Sequence, residues 1–573
     1  MVSIKKLAVG FAVSGLLLTG CTQKPASGGT LTFLTEDAQF THLDPQRNYV
    51  ATDMAFAATY LHRTLTMYQP ASGAAGTELV PDLATDLGRP SADAKTWSFT
   101  LREGATFEDG SDITCADVKY GISRTFATDV ISGGPDYAIR WLDIPLALDG
   151  GSIYKGPYKK ANNDVAAFDK AVECSADDQT ITFHLKRPVG DFNHAVTMLA
   201  FSPVPAELDT QGEYDLDPIS SGPYVVAANE PGVQLVLDRN ENWDRDSDSV
   251  RRALPGQIIV KYANAYQDME DDIIEDNEVG KTAVMLDPVA AASTGIIFNL
   301  QRTAGRRVSA EDPFVSYTAF NVSKLPCLSV RQAIFYALDR KALSALTGEP
   351  EFVGTQADGL LKPSLFPSAY AKVKGFEDAK PEGNVEKARA LLNQAKSQCP
   401  AVYKRATVDG LRFDTTNLPI HQAGVAIWTA SMAKAGIKLT GNLIPKEQYY
   451  GTVFDAKAQG DLSRAGWAPD FLSPSTVITD IAADGNFNLL RNQDDRAYAS
   501  FLAQVRAAEA QTDAAARAQQ WRAINQLVMD NMWVLPGVFS KSQFIWGSGV
   551  TGVGVWTPYG CVNFNDIEVI QAI

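Results

Sequence analysis

The residues best placed to do chemistry lie late in the chain, in Arg464-Ala-Gly-Trp467-Ala-Pro-Asp470-Phe471. A guanidinium, an indole and a carboxylate fall within seven residues, interrupted by glycine and proline. Glycine and proline punctuate a chain into turns, so the stretch reads as a loop. It reads either as an ordinary loop, with the indole capping a core and the charges facing water, or as a binding loop. In the binding reading Trp467 is an apolar wall, and Asp470 or Arg464 complements a ligand charge through charge-assisted hydrogen bonds.

Other constellations point away from catalysis. The five histidines, His42, His62, His184, His194 and His421, are scattered, and neither HExxH nor GxSxG occurs. His184 sits inside an alternating strand pattern and reads as structural. A glycosidase working through paired carboxylates stays open as an alternative, because 67 acidic residues offer many pairs. The acidic run from Asp268 to Glu278 lacks the ligand spacing and central glycine of a calcium loop and reads as a solvated helix face. Gly549 to Gly554 is glycine-rich, but no strand–turn–helix with an acidic partner follows, which argues against a nucleotide site. No CxxC pair is present, so no metal and no cofactor is expected.

The chain has 573 residues, 45% of them hydrophobic, more than one core normally serves, so two or three subdomains are expected. A net charge of −16 argues against nucleic acid as a partner and against an electrostatic grip on anionic lipid. Lys5 and Lys6 precede an apolar run from Leu7 to Leu18 that is too short to span a bilayer and fits a secretory signal. Leu18-Thr19-Gly20-Cys21 resembles a bacterial lipobox, in which Cys21 becomes the lipidated first residue; the alternative is a plain signal peptide and an incidental cysteine. The residues to Gly29 are rich in Gly, Ser and Pro, as expected of a flexible tether. The expectation is a soluble body held at the outer membrane face by acyl chains. Beyond Cys21, the five cysteines of an exported protein are disulfide candidates. Cys115 with Cys174 is the first pairing expected, because both fall in one subdomain, and Cys327 with Cys399 the second, which would leave Cys561 unpaired. The sequence leaves this connectivity open.

The elements that must position the loop are read from periodicity. Gly29 to Leu34, Thr96 to Arg102, Thr180 to Leu185, Val233 to Leu237, Ile258 to Tyr262, Tyr317 to Val322 and Val534 to Phe539 read as strands. Asp53 to Thr66, Ser329 to Leu346, Asn384 to Lys396, Gly424 to Ala435 and much of Ala497 to Met529 read as helices, and Thr114 with Asp117 forms a capping box for another. Strands alternate with helices throughout, which gives an α/β protein with mixed sheets.

Five stretches in order then resemble one family. Thr96 to Thr125 (TWSFTLREGATFEDGSDITCADVKYGISRT), Asp217 to Trp243 with its Gly222-Pro223-Tyr224 turn, Phe320 to Arg340, Ala388 to Leu392 and the Trp467-x-x-Asp470 loop are similar to the bacterial extracellular solute-binding proteins of family 5. These are peptide-class receptors of ABC importers, and the matches run over nearly the whole mature chain. The resemblance implies a two-lobed periplasmic-binding-protein fold of type II, cluster C-like, with mixed sheets and an extra subdomain inserted in the first lobe. It places residues 1–20 as the signal peptide and 21–28 as the tether. The first lobe takes 29–79, 201–310 and 540–573, the inserted subdomain 80–200 and the second lobe 311–539, with hinges near 310 and 540.

It implies that the protein captures di- to oligopeptides between closing lobes as a monomer, hands them to ABC-importer permease subunits, and turns nothing over. Asp470 matches the family aspartate that takes a peptide ammonium, Trp467 a pocket wall, and Arg464 the arginine that engages a short peptide's carboxylate. The alternative for Asp470 is a helix cap or solvated carboxylate, and for Arg464 a structural ion pair. Gly222-Pro223-Tyr224, Arg331 and Asp339 read as structural. Pro469 directly before Asp470, and Phe471-Leu-Ser-Pro474 after it, depart from the common pattern, and proline restricts its predecessor and lacks a donor. A receptor of the same fold for an oligosaccharide, a metal chelate or a signalling molecule, and a secreted lipoprotein hydrolase, remain the alternatives.

Overall fold

A computed structural model describes residues 28–148, 150–348, 350–483 and 488–570. The expected signal segment, Cys21 and nearly all of the tether lie outside the described residues. Among the described residues no helix is long and apolar enough to cross a membrane.

Three sheets organise the chain. The first has five strands in the order Ala283–Met285, Thr30–Leu34, Gln257–Lys261, Gln234–Arg239, Tyr224–Glu230. Thr30–Leu34 is an interior strand, runs parallel to both neighbours and is buried from Leu31 to Leu34, Thr32 included. The second sheet has six strands in the order Thr355–Gln356, Val534–Ile545, Arg307–Phe320, Leu462–Trp467, Leu411–Thr416, Leu439–Ile444. The third has four, Arg89–Pro90, Thr96–Thr100, Thr180–His184 and Val172–Cys174. In it Trp97 pairs with Phe183 and Phe99 with Ile181, so the inward residues of both alternating strands meet on one buried face. This is the expected two-lobed mixed α/β architecture with several mixed sheets.

Two long strands join the lobes. Arg307–Phe320 and Val534–Ile545 pair antiparallel, with breaks in register between Glu311 and Val315 and between Val315 and Tyr317. At one end Ile545 packs with Leu34, Met269 and Met285 under the first sheet. At the other, Tyr317 to Phe320 pair with Leu462 to Ala465 inside the second. The sequence pattern marks only the second-lobe half of each strand, since Arg307 to Glu311 is polar and half-buried.

Two predicted helices end differently in the structure. The helix expected over Asp53 to Thr66 runs over Ala51–Tyr60, and Thr66 opens a strand instead. Its end is fixed by a buried ionic network: Arg63 and Arg251 both reach Asp82, at 2.8 and 2.9 Å, and Arg251 also bonds Asp248 at 3.0 Å. The single helix expected over Ser329 to Leu346 is two, Leu328–Ala337 and Arg340–Thr347. Asp339 breaks it by capping the second, its carboxylate accepting from the Ala342 N–H at 2.9 Å. Arg331 is structural, donating to the carbonyls of Leu325 and Asn531. The Thr114–Asp117 capping box forms.

Both expected disulfides, Cys115–Cys174 and Cys327–Cys399, are present, and Cys561 is free and buried. Gly222 lies against the backbone of Tyr60 and Leu61, where a Cβ would come within 2.7 Å of a carbonyl oxygen, so that turn is also structural. The Gly549–Gly554 segment packs on the Lys281 backbone, and its Val550–Thr551 pairs with Glu568–Val569.

Candidate functional site

Leu462–Trp467 is an interior strand of the six-stranded sheet, between Arg307–Phe320 and Leu411–Thr416. Its burial alternates: Leu462, Ser463 and Ala465 are buried, while Arg464 and Gly466 are exposed. An interior strand with open positions on one face has that face turned away from the packed core. Arg464 is crowded by protein from several sides as well, since desolvation lowers its pKa against the opposing pull of Tyr449 and Tyr450. Its carbonyl accepts from the Tyr449 hydroxyl at 2.5 Å. Among the described residues no carboxylate lies in ion-pair range of its guanidinium. The structural ion pair is therefore not what the structure builds there. Burial first, and Arg464 second, push the neighbouring His421 down to about 4, so it is neutral and adds no competing charge.

At the end of the strand, Trp467 is half-buried. Its Nε1 donates to the Thr476 carbonyl at 2.6 Å, and its ring packs on Val315, Ala357 and Phe539. That bond and those contacts fix the indole plane.

Asp470 follows in the loop. Its Oδ2 accepts from the Tyr49 hydroxyl at 2.7 Å and the Tyr137 hydroxyl at 2.6 Å. Neither tyrosine comes from the second lobe. It caps no helix and is half-buried: desolvation raises its pKa and the two tyrosine bonds oppose the rise. Oδ1 has no partner among the described residues. A carboxylate with one oxygen tied down and the other free is a preorientated acceptor for a cation. Asp480, on the helix Ser475–Ala482 just beyond, is pushed up to about 7 by burial and then by the charge of Asp470.

The residues after Asp470 close the lobes. Phe471 is buried against the rings of Tyr137 and Trp141, with centroids at 5.1 and 5.9 Å. The Leu472 N–H donates to the Tyr68 hydroxyl at 2.7 Å, and Ser473 donates to the Asp191 carboxylate. Arg187 of the inserted subdomain pairs with Glu509 at 2.6 Å. The departure at Phe471 thus has a structural cause: it is the apolar plug between the second lobe and the inserted subdomain.

Sequence reasoning named Arg464, Trp467 and Asp470, and the structure places all three along one strand and the loop it feeds. It missed Tyr49 and Tyr137, whose contacts with Asp470 span 421 and 333 residues of chain and leave no local signal.

Arg464, Trp467 and Asp470 thus lie on one interior strand and the loop after it, within a two-lobed mixed α/β fold of the solute-binding class. The family agrees with the class. The chain belongs to the bacterial extracellular solute-binding proteins, family 5, whose middle region matches residues 78–488. It is similar to the periplasmic oligopeptide-binding protein of Salmonella typhimurium, with 26% identity over 419 residues, covering 69% of this chain and 68% of that one. It is also similar to the periplasmic murein peptide-binding protein of Escherichia coli, with 24% identity over 486 residues and 80% and 79% coverage. Among solved structures, clavulanic acid biosynthesis oligopeptide binding protein 2 superposes with a TM-score of 0.83 and 28% identity, over 95% of this chain and 96% of that one. The chain is an extracytoplasmic binding protein of a non-enzymatic family.

Proposed function

We propose that this protein is the peptide receptor of an ABC importer, capturing short peptides between its lobes and releasing them to a membrane permease. Asp470 takes the peptide ammonium on Oδ1, Trp467 walls the side-chain pockets, and Arg464 takes a carboxylate. The observation that supports this reading is a guanidinium, Arg464, with no carboxylate in ion-pair range among the described residues, followed along the chain by a carboxylate, Asp470, held by two tyrosine hydroxyls with the Arg140 charge nearby. A zwitterionic, extended ligand is what such a pair complements, since burying either charge alone is costly.

The relatives with peptide-binding names support the same ligand class. The lobe boundaries proposed are 29–79 with 201–310 and 540–573 for the first lobe, 80–200 for the inserted subdomain and 311–539 for the second lobe. The strands of the three sheets fall into these ranges, except that the two connecting strands run across the boundaries near 310 and 540. Anchoring through a lipidated Cys21 and delivery to permease subunits complete the proposal.

The test is calorimetry with a short peptide, its N-acetylated form and its C-terminally amidated form, after the co-purified ligand has been identified by native mass spectrometry. The free peptide is expected to bind near micromolar affinity, roughly −8 kcal/mol. Acetylation is expected to abolish binding, and amidation to weaken it for the shortest peptides. Equal affinity for the free and acetylated peptides would remove Asp470 from its role, and a co-purified sugar or chelate would replace the ligand class.

A further inference from the structure

The two strands that join the lobes are not evenly paired. Glu311 faces Lys541 and Val315 faces Phe539, so Asp312, Pro313 and Phe314 together stand opposite the single residue Ser540. Extra residues on one strand of a pair disrupt the ladder and let the strand bend there. On one side of this bulge the strands pair beneath the first-lobe core, and on the other they belong to the second-lobe sheet.

The bulge is held by a buried cation. Lys362 is 1% exposed. Its Nζ donates to the carbonyl of Asp312 at 2.5 Å and to that of Ser540 at 2.6 Å, one on each strand, with the Asp312 carboxylate 3.6 Å away. That carboxylate accepts from the Phe314 N–H at 2.9 Å and the Ser540 hydroxyl at 2.7 Å. The Lys362 backbone follows Leu360 and Leu361 in the second-lobe core, where the Leu360 N–H is fixed on Asn525 at 3.0 Å. From the first-lobe side, Gly560 abuts Pro313: its φ is +68°, and a Cβ there would stand 2.6 Å from Pro313 Cδ. The bulge is therefore gripped from both lobes.

We propose that Lys362 is the pivot of lobe closure. Its ammonium ties the Asp312–Phe314 bulge to Ser540, restrains bending of both connecting strands at that bulge, next to a second break in register between Val315 and Tyr317, and sets the spread of open and closed forms. Trp467 packs on Val315 and Phe539, the first residues beyond the bulge, so rotation there carries the cleft wall with it. The inference rests on lobe closure as part of the proposed function and does not depend on the ligand being a peptide. Conformers of a receptor differ by small free energies, so loosening a pivot shifts populations measurably.

The test is the distance distribution between spin labels on exposed Glu230 and Lys457, introduced as Glu230→Cys and Lys457→Cys in the mature protein, with and without saturating peptide. Lys362→Met keeps the stem and removes the ammonium. It is expected to widen the distribution of the empty protein and to speed peptide dissociation about fivefold or more. Ser540→Ala, which keeps the ion pair and deletes one tie, is expected to do the same to a smaller degree. An empty-state distribution unchanged in a folded Lys362→Met protein overturns the proposal. If Lys362→Met does not fold, an unchanged distribution in Lys362→Gln, which also removes the ammonium but keeps a polar end, overturns it. The empty-state measurement needs no ligand, so its failure is distinct from failure of the peptide reading.

Discussion

Tyr49 and Tyr137 donate to the same oxygen of Asp470, at 2.7 and 2.6 Å, from segments more than 300 residues away in sequence. The two bonds hold one oxygen of the carboxylate, and Oδ1 has no partner among the described residues. Tyr137→Phe and Tyr49→Phe each delete one charge-assisted hydrogen bond, which is worth roughly 1.5–3 kcal/mol. Peptide affinity measured by calorimetry is expected to fall about tenfold or more in each. Tyr137→Phe should show the larger loss, because Tyr137 is buried while Tyr49 is 37% exposed.

Among the described residues Arg464 has no carboxylate in ion-pair range, so its removal breaks no ion pair among them. Arg464→Met is expected to leave the melting temperature unchanged or slightly raised, because a desolvated cation is gone. Affinity for a short peptide with a free C-terminus is expected to drop, while affinity for its amide stays level. Thermal melting and calorimetry on the two peptides check both halves.

Asp480 carries a pH dependence of definite sign. Its carboxyl is held up to about 7 in the folded protein, above the ordinary carboxylate range, by burial and then by Asp470. The folded state thus binds a proton that the unfolded state has already released between about pH 4 and 7, so stability from this group is present below that window and is lost as pH rises through it. Asp480→Asn is expected to raise the melting temperature by about 1–2 °C at pH 8 and to leave it unchanged at pH 4. A scan of melting temperature against pH for both proteins measures it.

The Cys115–Cys174 bridge closes a loop of 59 residues in sequence between the first turn of the helix Cys115–Arg124 and the edge strand Val172–Cys174. Chain-entropy arguments assign such a cross-link roughly 4 kcal/mol. The double variant Cys115→Ala/Cys174→Ala is expected to lose about that much in urea unfolding, and peptide affinity should hold where the protein remains folded, since the bridge is remote from Asp470 and Trp467.

The core ion network makes a sharper stability prediction. Asp82 accepts from both Arg63 and Arg251, all fully buried. Asp82→Asn leaves two guanidinium groups short of charge in a dry site, which costs about 3–5 kcal/mol. Loss of soluble expression, or a urea midpoint far below that of the parent, is the expected outcome.

The sequence by itself determined several strands of the three sheets, the capping box at Thr114 and the order of family stretches, while Leu462–Trp467, which reads as part of a loop, is an interior strand. These are legible because alternation, capping and loop motifs are local: each is written within a few residues of where it acts. What only tertiary structure decided is everything set by contacts between distant segments. The buried demands of Arg63 and Arg251 ended a helix that periodicity would have carried on to Thr66. The capping carboxylate of Asp339 split another helix. Phe471, which read as a departure of unknown meaning, is the plug against Tyr137 and Trp141. Asp470 owes its orientation to Tyr49 and Tyr137, and Lys362 its grip on the connecting strands to a bulge that no local pattern announces. A buried polar group must find a partner wherever the fold brings one, and one-dimensional spacing does not record that distance.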